Sequence, residues 1–266
     1  TFDNQSGSLL ARNSYSAEFS DRVAFLTSDQ PVHGITTDRP EFLGARGDRR
    51  SPVGLKRVGL SGQVKAGGDI CAALQIHLNF QPGETRTFRF VLGQGKDETD
   101  ARSLAQKYSQ PEIAAQSFNR IVQKWDKLLN TLQVETPHPE MDVILNRWLQ
   151  YQALSCRIWG RSAFYQSSGA YGFRDQLQDV TSILPIQPEI AREHILRSAR
   201  HQFETGDVLH WWHPPSGRGV RTRISDDLLW LVYVTAEYIL QTWDISILHV
   251  KISSQMGVAQ AEAEEE

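Results

Sequence analysis

WGRSAFYQSSGAYGFRDQLQDV (residues 159–180) and GDVLHWWHPPSGRGVRTRISDDLLW (206–230) decide how the second half of this chain must fold. Both are long connections that feed directly into helical patterns, and a single helix separates them. Upstream, Met141, Ile144, Leu145, Trp148, Leu149, Gln152, Ser155 and Ile158 mark one face of a helix opened by Pro139. Asp175 to Leu184 reads as a short helix, and Pro188 to Glu204 as another closed by Gly206. Asp226 to Thr242 reads as the next, with Ser225 as N-cap and two aspartates in a first turn that favours negative charge. Helices joined alternately by long, residue-rich loops predict a toroid of helix hairpins with its functional loops at one end.

Outward from there, residues 1–98 change character. Short apolar runs broken by Gly, Asn, Asp and Pro predict an antiparallel β-sandwich, incomplete at its N-terminal side, and this half holds no Trp. Leu74, Ile76, Leu78 and Phe80 alternate with Gln75, His77 and Asn79, the period of a half-buried strand. A second strand is read in TRTFRFVLG, and Gln81-Pro82-Gly83-Glu84 between them predicts a hairpin. Residues 99–136 form a helical linker, Asp100 to Ser109 and then Glu112 to Val134, with Pro111 in the first turn of the second helix. Its stripe runs through Ala114, Phe118, Ile121, Val122, Trp125, Leu128, Leu129 and Leu132. Residues 137–244 carry the helix pairs, and 245–266 lose all periodicity and end in an acidic run, which predicts a disordered tail. The fold class expected is α+β and multidomain.

Composition narrows the function classes. A formal net charge of −3 argues against a general nucleic-acid binder. No apolar run approaches the ~18 residues of a membrane span. Cys71 and Cys156 are far apart with no CxxC spacing, which predicts reduced, buried thiols and suits the cytoplasm. There is no nucleophile elbow, Walker loop, dinucleotide fingerprint or HExxH motif. Thr1 is neither an initiator Met nor the start of a signal peptide, so the sequence reads as starting in mid-pattern.

Trp159, Trp211, Trp212 and Trp230, with Trp148 just upstream, place most of the seven tryptophans beside arginines and aspartates. Indole faces stack on the apolar C–H faces of sugars, while guanidinium and carboxylate groups hold hydroxyls. In YGFRDQLQD, Arg174 and Gln178 share one helix edge, as do Asp175 and Asp179. They serve either as ligand contacts or as an intrahelical ion pair. In HWWHPPSGRGVRTR, Pro214-Pro215 forbids a helix, and two adjacent tryptophans cannot both face one core in a regular helix, so at least one ring should line a surface. His210 and His213 with Asp207 match no standard zinc spacing, so no metal is expected. Arg218, Arg221 and Arg223 either hold an anion or pair with Asp226 and Asp227. Those two aspartates in turn bind hydroxyls or merely serve their helix N-terminus.

The two quoted stretches resemble the inverting glycoside phosphorylases of glycoside hydrolase family 94, the cellobiose and chitobiose phosphorylase family formerly classed as glycosyltransferase family 36. They are most similar to the C-terminal domain of cyclic β-1,2-glucan synthases. The resemblance runs from Asn13-Ser14-Tyr15-Ser16-Ala17-Glu18-Phe19 through Leu231. It implies a β-sandwich leading through helices into an (α/α)6 barrel that holds the active site. The residues matching the family's substrate-binding positions are Arg161, Arg174, Asp175, Gln178 and Asp179 in the first motif. In the second they are Trp212, His213, Arg221, Arg223, Asp226, Asp227 and Trp230.

The implied reaction is inverting: phosphate, a co-substrate and the only small-molecule requirement, attacks the anomeric carbon while one carboxylic acid protonates the departing oxygen. The family supplies that acid from an Asp-Trp-Asn-Asp-like motif that this sequence lacks, so no catalytic residue is assigned. Its Trp-Asp pairs, Trp125-Asp126 and Trp243-Asp244, do not fit, and Thr242-Trp243-Asp244 stands where the family has Thr-Gly-Asp. About four helices after Thr136 also fall short of a closed barrel. The expectation is a truncated piece of such a domain, binding β-linked glucan without turnover. It would associate with the rest of a synthase at the inner membrane, or with a second copy. A non-catalytic carbohydrate-binding module and a non-functional remnant are the rival readings.

Overall fold

The computed structural model describes residues 1–16, 19–160, 169–214, 216–222 and 224–253. The chain divides into two compact units, Thr1–Ile121 and Val122–Glu266, and the division falls inside a helix.

In the first unit, β1 (Phe2–Asp3), β2 (Ser8–Arg12) and β3 (Val23–Ser28) form an antiparallel sheet completed at the far edge by β6 (Phe90–Gly95). Between them in sequence, β4 (Gly34–Asp38) leads into α1 (Arg39–Leu43) and pairs with β5 (Ile70–Gln75) as a separate two-stranded sheet. Leu10, Val23 and Phe25 are buried against Ala101 and Ala105 of α2 (Glu98–Tyr108). Small residues on that helix let it lie close to the sheet. Asp97 caps it by accepting from the Asp100 amide at 2.8 Å.

The predicted hairpin between residues 71–80 and 85–93 does not form. Its turn is there, with Glu84 N donating to Gln81 O at 3.0 Å and Gly83 at φ +79°. The flanking segments take other partners: β5 pairs with β4, and β6 pairs with β3 from Val23↔Gly95 to Ser28↔Phe90. β3 offers six residues whose inward side chains Val23, Phe25 and Thr27 are all buried, a longer and better-shielded ladder than the local turn provides. Gly93 allows it, since a Cβ there would run into the Phe25 ring.

The second unit begins within α3 (Pro111–Leu129). The helix opened by Pro139 alternates between α4 (Pro139–Val143), a π-helical stretch at Ile144–Trp148, α5 (Leu149–Gln152) and a second π stretch at Ala153–Trp159. Each π turn rotates the following side chains off a 3.6-residue stripe. That is why the stripe read from the sequence is not buried as one face: Leu154 and Ile158 are in the core while Met141, Ile144, Trp148 and Leu149 are exposed.

β7 (Tyr171–Gly172) runs straight into α6 (Phe173–Ile183), and α7 (Pro188–Ala199) follows. The helix read to Glu204 stops at Ala199, and Gly206, at φ +91°, ends the turn beyond it. No strand is predicted in HWWHPPSGRGVRTR, yet β8 (Val208–Trp212) and β9 (Gly219–Thr222) make a hairpin that adds to β7. Gly219 fits where any Cβ would overlap the Trp211 carbonyl. α8 (Asp227–Thr242) closes the set. Phe173, Leu177, Val180 and Ile183 of α6, Ala191 of α7, Val208 of β8 and Val234 of α8 are fully buried together.

Where an unstructured tail is predicted from residue 245, Ile245–His249 instead form a 3-10 turn that buries Ile247 in this core. Residues 254–266 lie outside the described residues. The cysteines are free, as expected, but only half-buried.

Trp243 ends α8 in the left-handed region at φ 61°, the only non-glycine with positive φ among the described residues, and 83% of it is exposed. This is the position where the resemblance calls for glycine. A side chain in that conformation costs about 1–2 kcal/mol. Trp243→Gly is therefore expected to raise stability by about 1 kcal/mol, seen as a Tm increase of about 2–4 °C in thermal unfolding.

Candidate functional site

The N-terminal ends of α6 and α8 meet. Burial of Phe173 and Leu177 fixes the rotation of α6, and this turns Arg174 and Asp175 away from the core. Arg174 Nη1 donates to Asp226 Oδ2 at 2.6 Å, and its guanidinium lies 5.6 Å from the Trp230 ring centroid. Asp226 stands at the N-cap of α8 without capping it, because its carboxylate is engaged by Arg174. Ser225, the expected cap, precedes that position. Trp230 is half-buried and meets Tyr233 edge-on at 5.7 Å.

Asp227 sits behind this pair, 1% exposed. His210 Nδ1 donates to its Oδ2 at 2.7 Å. Its Oδ1 is buried with no hydrogen-bond partner among the described residues. Burial pushes the carboxyl above its usual range; the His210 bond opposes this, and the charges of Asp226 and Asp175 add to it. Sequence reading weighs His210 only as a metal ligand; its meeting with Asp227 has no local signal, because it depends on the shift in the β8–β9 register.

The remaining expected residues have other surroundings. Asp179 forms a two-oxygen pair with Arg157 Nε, 3.0 Å to each oxygen, linking α6 to the helix before it. Gln178 is exposed on the same helix, and its carbonyl accepts from Thr181. Trp212 is 1% exposed, with His201 stacked on it at 3.8 Å and Tyr171 at 5.8 Å. Trp211, its neighbour in the strand, is half-exposed, so one ring of the pair does reach a surface. His213 meets Trp211 edge-on. Arg161 and Arg223 lie outside the described residues.

Arg221 does not pair with Asp226 or Asp227. It binds Asp207 through two nitrogens, donates to Thr205 at 2.9 Å, and covers the Phe203 ring at 3.9 Å. The three residues weighed as metal ligands thus have separate partners: His210 has Asp227, Asp207 has Arg221, and His213 has Trp211. No group of three metal-ligating side chains occurs among the described residues.

The Arg221 bonds, with help from Thr205, hold the Asp207 carboxyl at about 2, below its ordinary value of 3.8. A depressed carboxylate stabilises the fold fully above the unfolded value and loses that contribution as pH falls through the folded one. Asp207→Asn is expected to cost about 1–2 kcal/mol at pH 7. Its Tm deficit against the parent should shrink between pH 4 and pH 2, as measured by calorimetry across that range.

Known proteins resemble this chain along both of its halves. The family model described as "Glycosyl hydrolase 94 superfamily, catalytic domain" matches residues 124–260, and "Glycosyl hydrolase 94, supersandwich domain" matches residues 1–111. Cyclic beta-(1,2)-glucan synthase NdvB of Rhizobium meliloti (strain 1021) is 39% identical over 99% of this chain and 9% of its own length. N,N'-diacetylchitobiose phosphorylase of Vibrio proteolyticus is 28% identical over 84% of this chain and 31% of its own. Solabiose phosphorylase of Paenibacillus borealis is 27% identical over 82% and 27%. This chain therefore spans less than a third of each of these relatives. No helix among the described residues is long and apolar enough to cross a membrane. With a supersandwich segment followed by a catalytic-domain segment in an α+β fold, the chain belongs to the glycosyl hydrolase 94 superfamily.

Proposed function

We propose that this chain forms part of the donor-sugar subsite of an inverting, phosphorylase-like domain of a cyclic β-1,2-glucan synthase. Its ligand is a β-linked glucan, and inorganic phosphate is the co-substrate of the reaction the domain serves. The observation that carries this reading is the convergence of Arg174, Asp175, Asp226, Asp227 and Trp230 at the facing ends of α6 and α8. There an indole face, a guanidinium and carboxylates lie within reach of one pyranose ring. Asp179, Trp212 and Arg221 support it from behind through Arg157, His201 and Asp207. Gln178, His213, Arg161 and Arg223 complete the set proposed to contact the sugar.

We assign no proton donor to this set, because the acidic motif that the resemblance calls for is not in the sequence. A general acid must hold a proton near neutral pH. The carboxyl of Asp244 is pulled to about 2, chiefly by Ser246, then by Tyr238 and Arg192. Asp126 is engaged by Arg147 at 3.0 Å. Asp244 is therefore unsuited to protonate a leaving group, and this chain is proposed to bind without turnover. Exposed apolar side chains on α8, Leu229, Val232 and Leu240 among them, favour association with the rest of a synthase or with a second copy.

Titrating tryptophan fluorescence with sophorose is expected to give saturable binding. Arg174→Ala should weaken that binding by about tenfold. Incubation with β-1,2-glucan and phosphate should release no glucose 1-phosphate. Release of that product would overturn the proposed inactivity, and a flat titration would overturn the subsite.

A further inference from the structure

We infer that His210 is a positioning residue for Asp227: it occupies Oδ2 and leaves Oδ1 as a fixed, charged acceptor for a hydroxyl of the bound sugar. The inference rests on the donor-subsite reading above and assigns a role to a residue outside that set.

The backbone supplies the first argument. Pairing of β8 with β9 runs Val208↔Thr222 and Leu209↔Arg221, then shifts before Trp211↔Val220. The irregularity falls on His210. Regular alternation would put His210 on the same side as the buried Val208 and Trp212. The shift instead leaves it half-exposed and bonded to the first turn of α8. Irregularities of this kind re-aim single side chains.

The second argument is the unequal state of the two carboxylate oxygens. Oδ2 accepts from His210, while Oδ1 is buried and unpartnered among the described residues. A buried acceptor left open is costly unless a ligand fills it. The charged groups around it explain why His210 is needed. Burial first, and then Asp226 beside it and Asp175 from α6, raise its proton affinity, and Arg174 is engaged by Asp226. The His210 bond and charge oppose that rise, so His210 favours the ionised form that binds hydroxyls more tightly.

The test measures sophorose affinity against pH by tryptophan fluorescence, together with the carbon-13 titration of the Asp227 carboxyl. His210→Ala should weaken sophorose about tenfold at pH 7 and move both the carboxyl midpoint and the acid limb of binding upward by about one unit. His210→Gln, which keeps a donor, should restore most of the affinity. In an Asp227→Asn background the His210 substitutions should have no further effect. A His210→Ala protein that loses thermal stability but keeps the parent's midpoint and pH profile overturns this inference alone. Absence of sophorose binding by the parent overturns the subsite reading and this inference with it.

Discussion

The burial of one face of α6 is the constraint on which the site depends. Phe173, Leu177, Val180 and Ile183 are all fully buried, so the helix cannot rotate without exposing four large side chains. Rotation and polar face are thereby locked together, and Arg174 and Asp175 can only emerge toward α8. The Arg174–Asp226 bond is exposed enough that its own contribution to stability is small. Its value is geometric: the core has already fixed where both partners stand, so the pair orients rather than holds.

The three-stranded sheet extends the same logic to the second motif. Gly172 pairs with Trp211 and Tyr171 with Trp212, so the first motif's entry strand and the second motif's hairpin share one ladder. Adjacent tryptophans then take opposite roles by strand alternation. Trp212 seals the core beneath His201 and Tyr171, and Trp211 faces outward beside His213. Arg221 and Asp207 tie the hairpin to the turn after α7. Ion pairs and stacked rings around the sheet thus hold the loops that carry the polar groups.

Much of this was legible in the residues. The α6 and α8 helices, the Pro-opened α7 and the change from strands to helices near residue 98 follow from local periodicity and helix-breaking residues, while the groups at the α6 and α8 N-termini were singled out by the family resemblance. What was not legible involved competition between partners distant in sequence. The Pro-Gly turn at 82–83 is real, but its strands pair elsewhere because β3 offers a deeper ladder. Arg221 could be read as a partner of Asp226, but in the folded chain Asp207 is the group beside it. The π turns of residues 144–148 and 153–159 broke a stripe drawn on ideal helical spacing.

The sequence by itself determined the family, the order of sheet and helix, and which residue types would gather, because these rest on local chemistry and on motifs read in place. Tertiary structure alone decided that His210 leaves its strand's alternation to meet Asp227, that Trp212 is core and Trp211 surface, and that Asp179 belongs to Arg157. Each of those outcomes depends on which of several competent partners comes within about 3 Å. Only the packed fold, by fixing helix rotation and strand register together, selects among them.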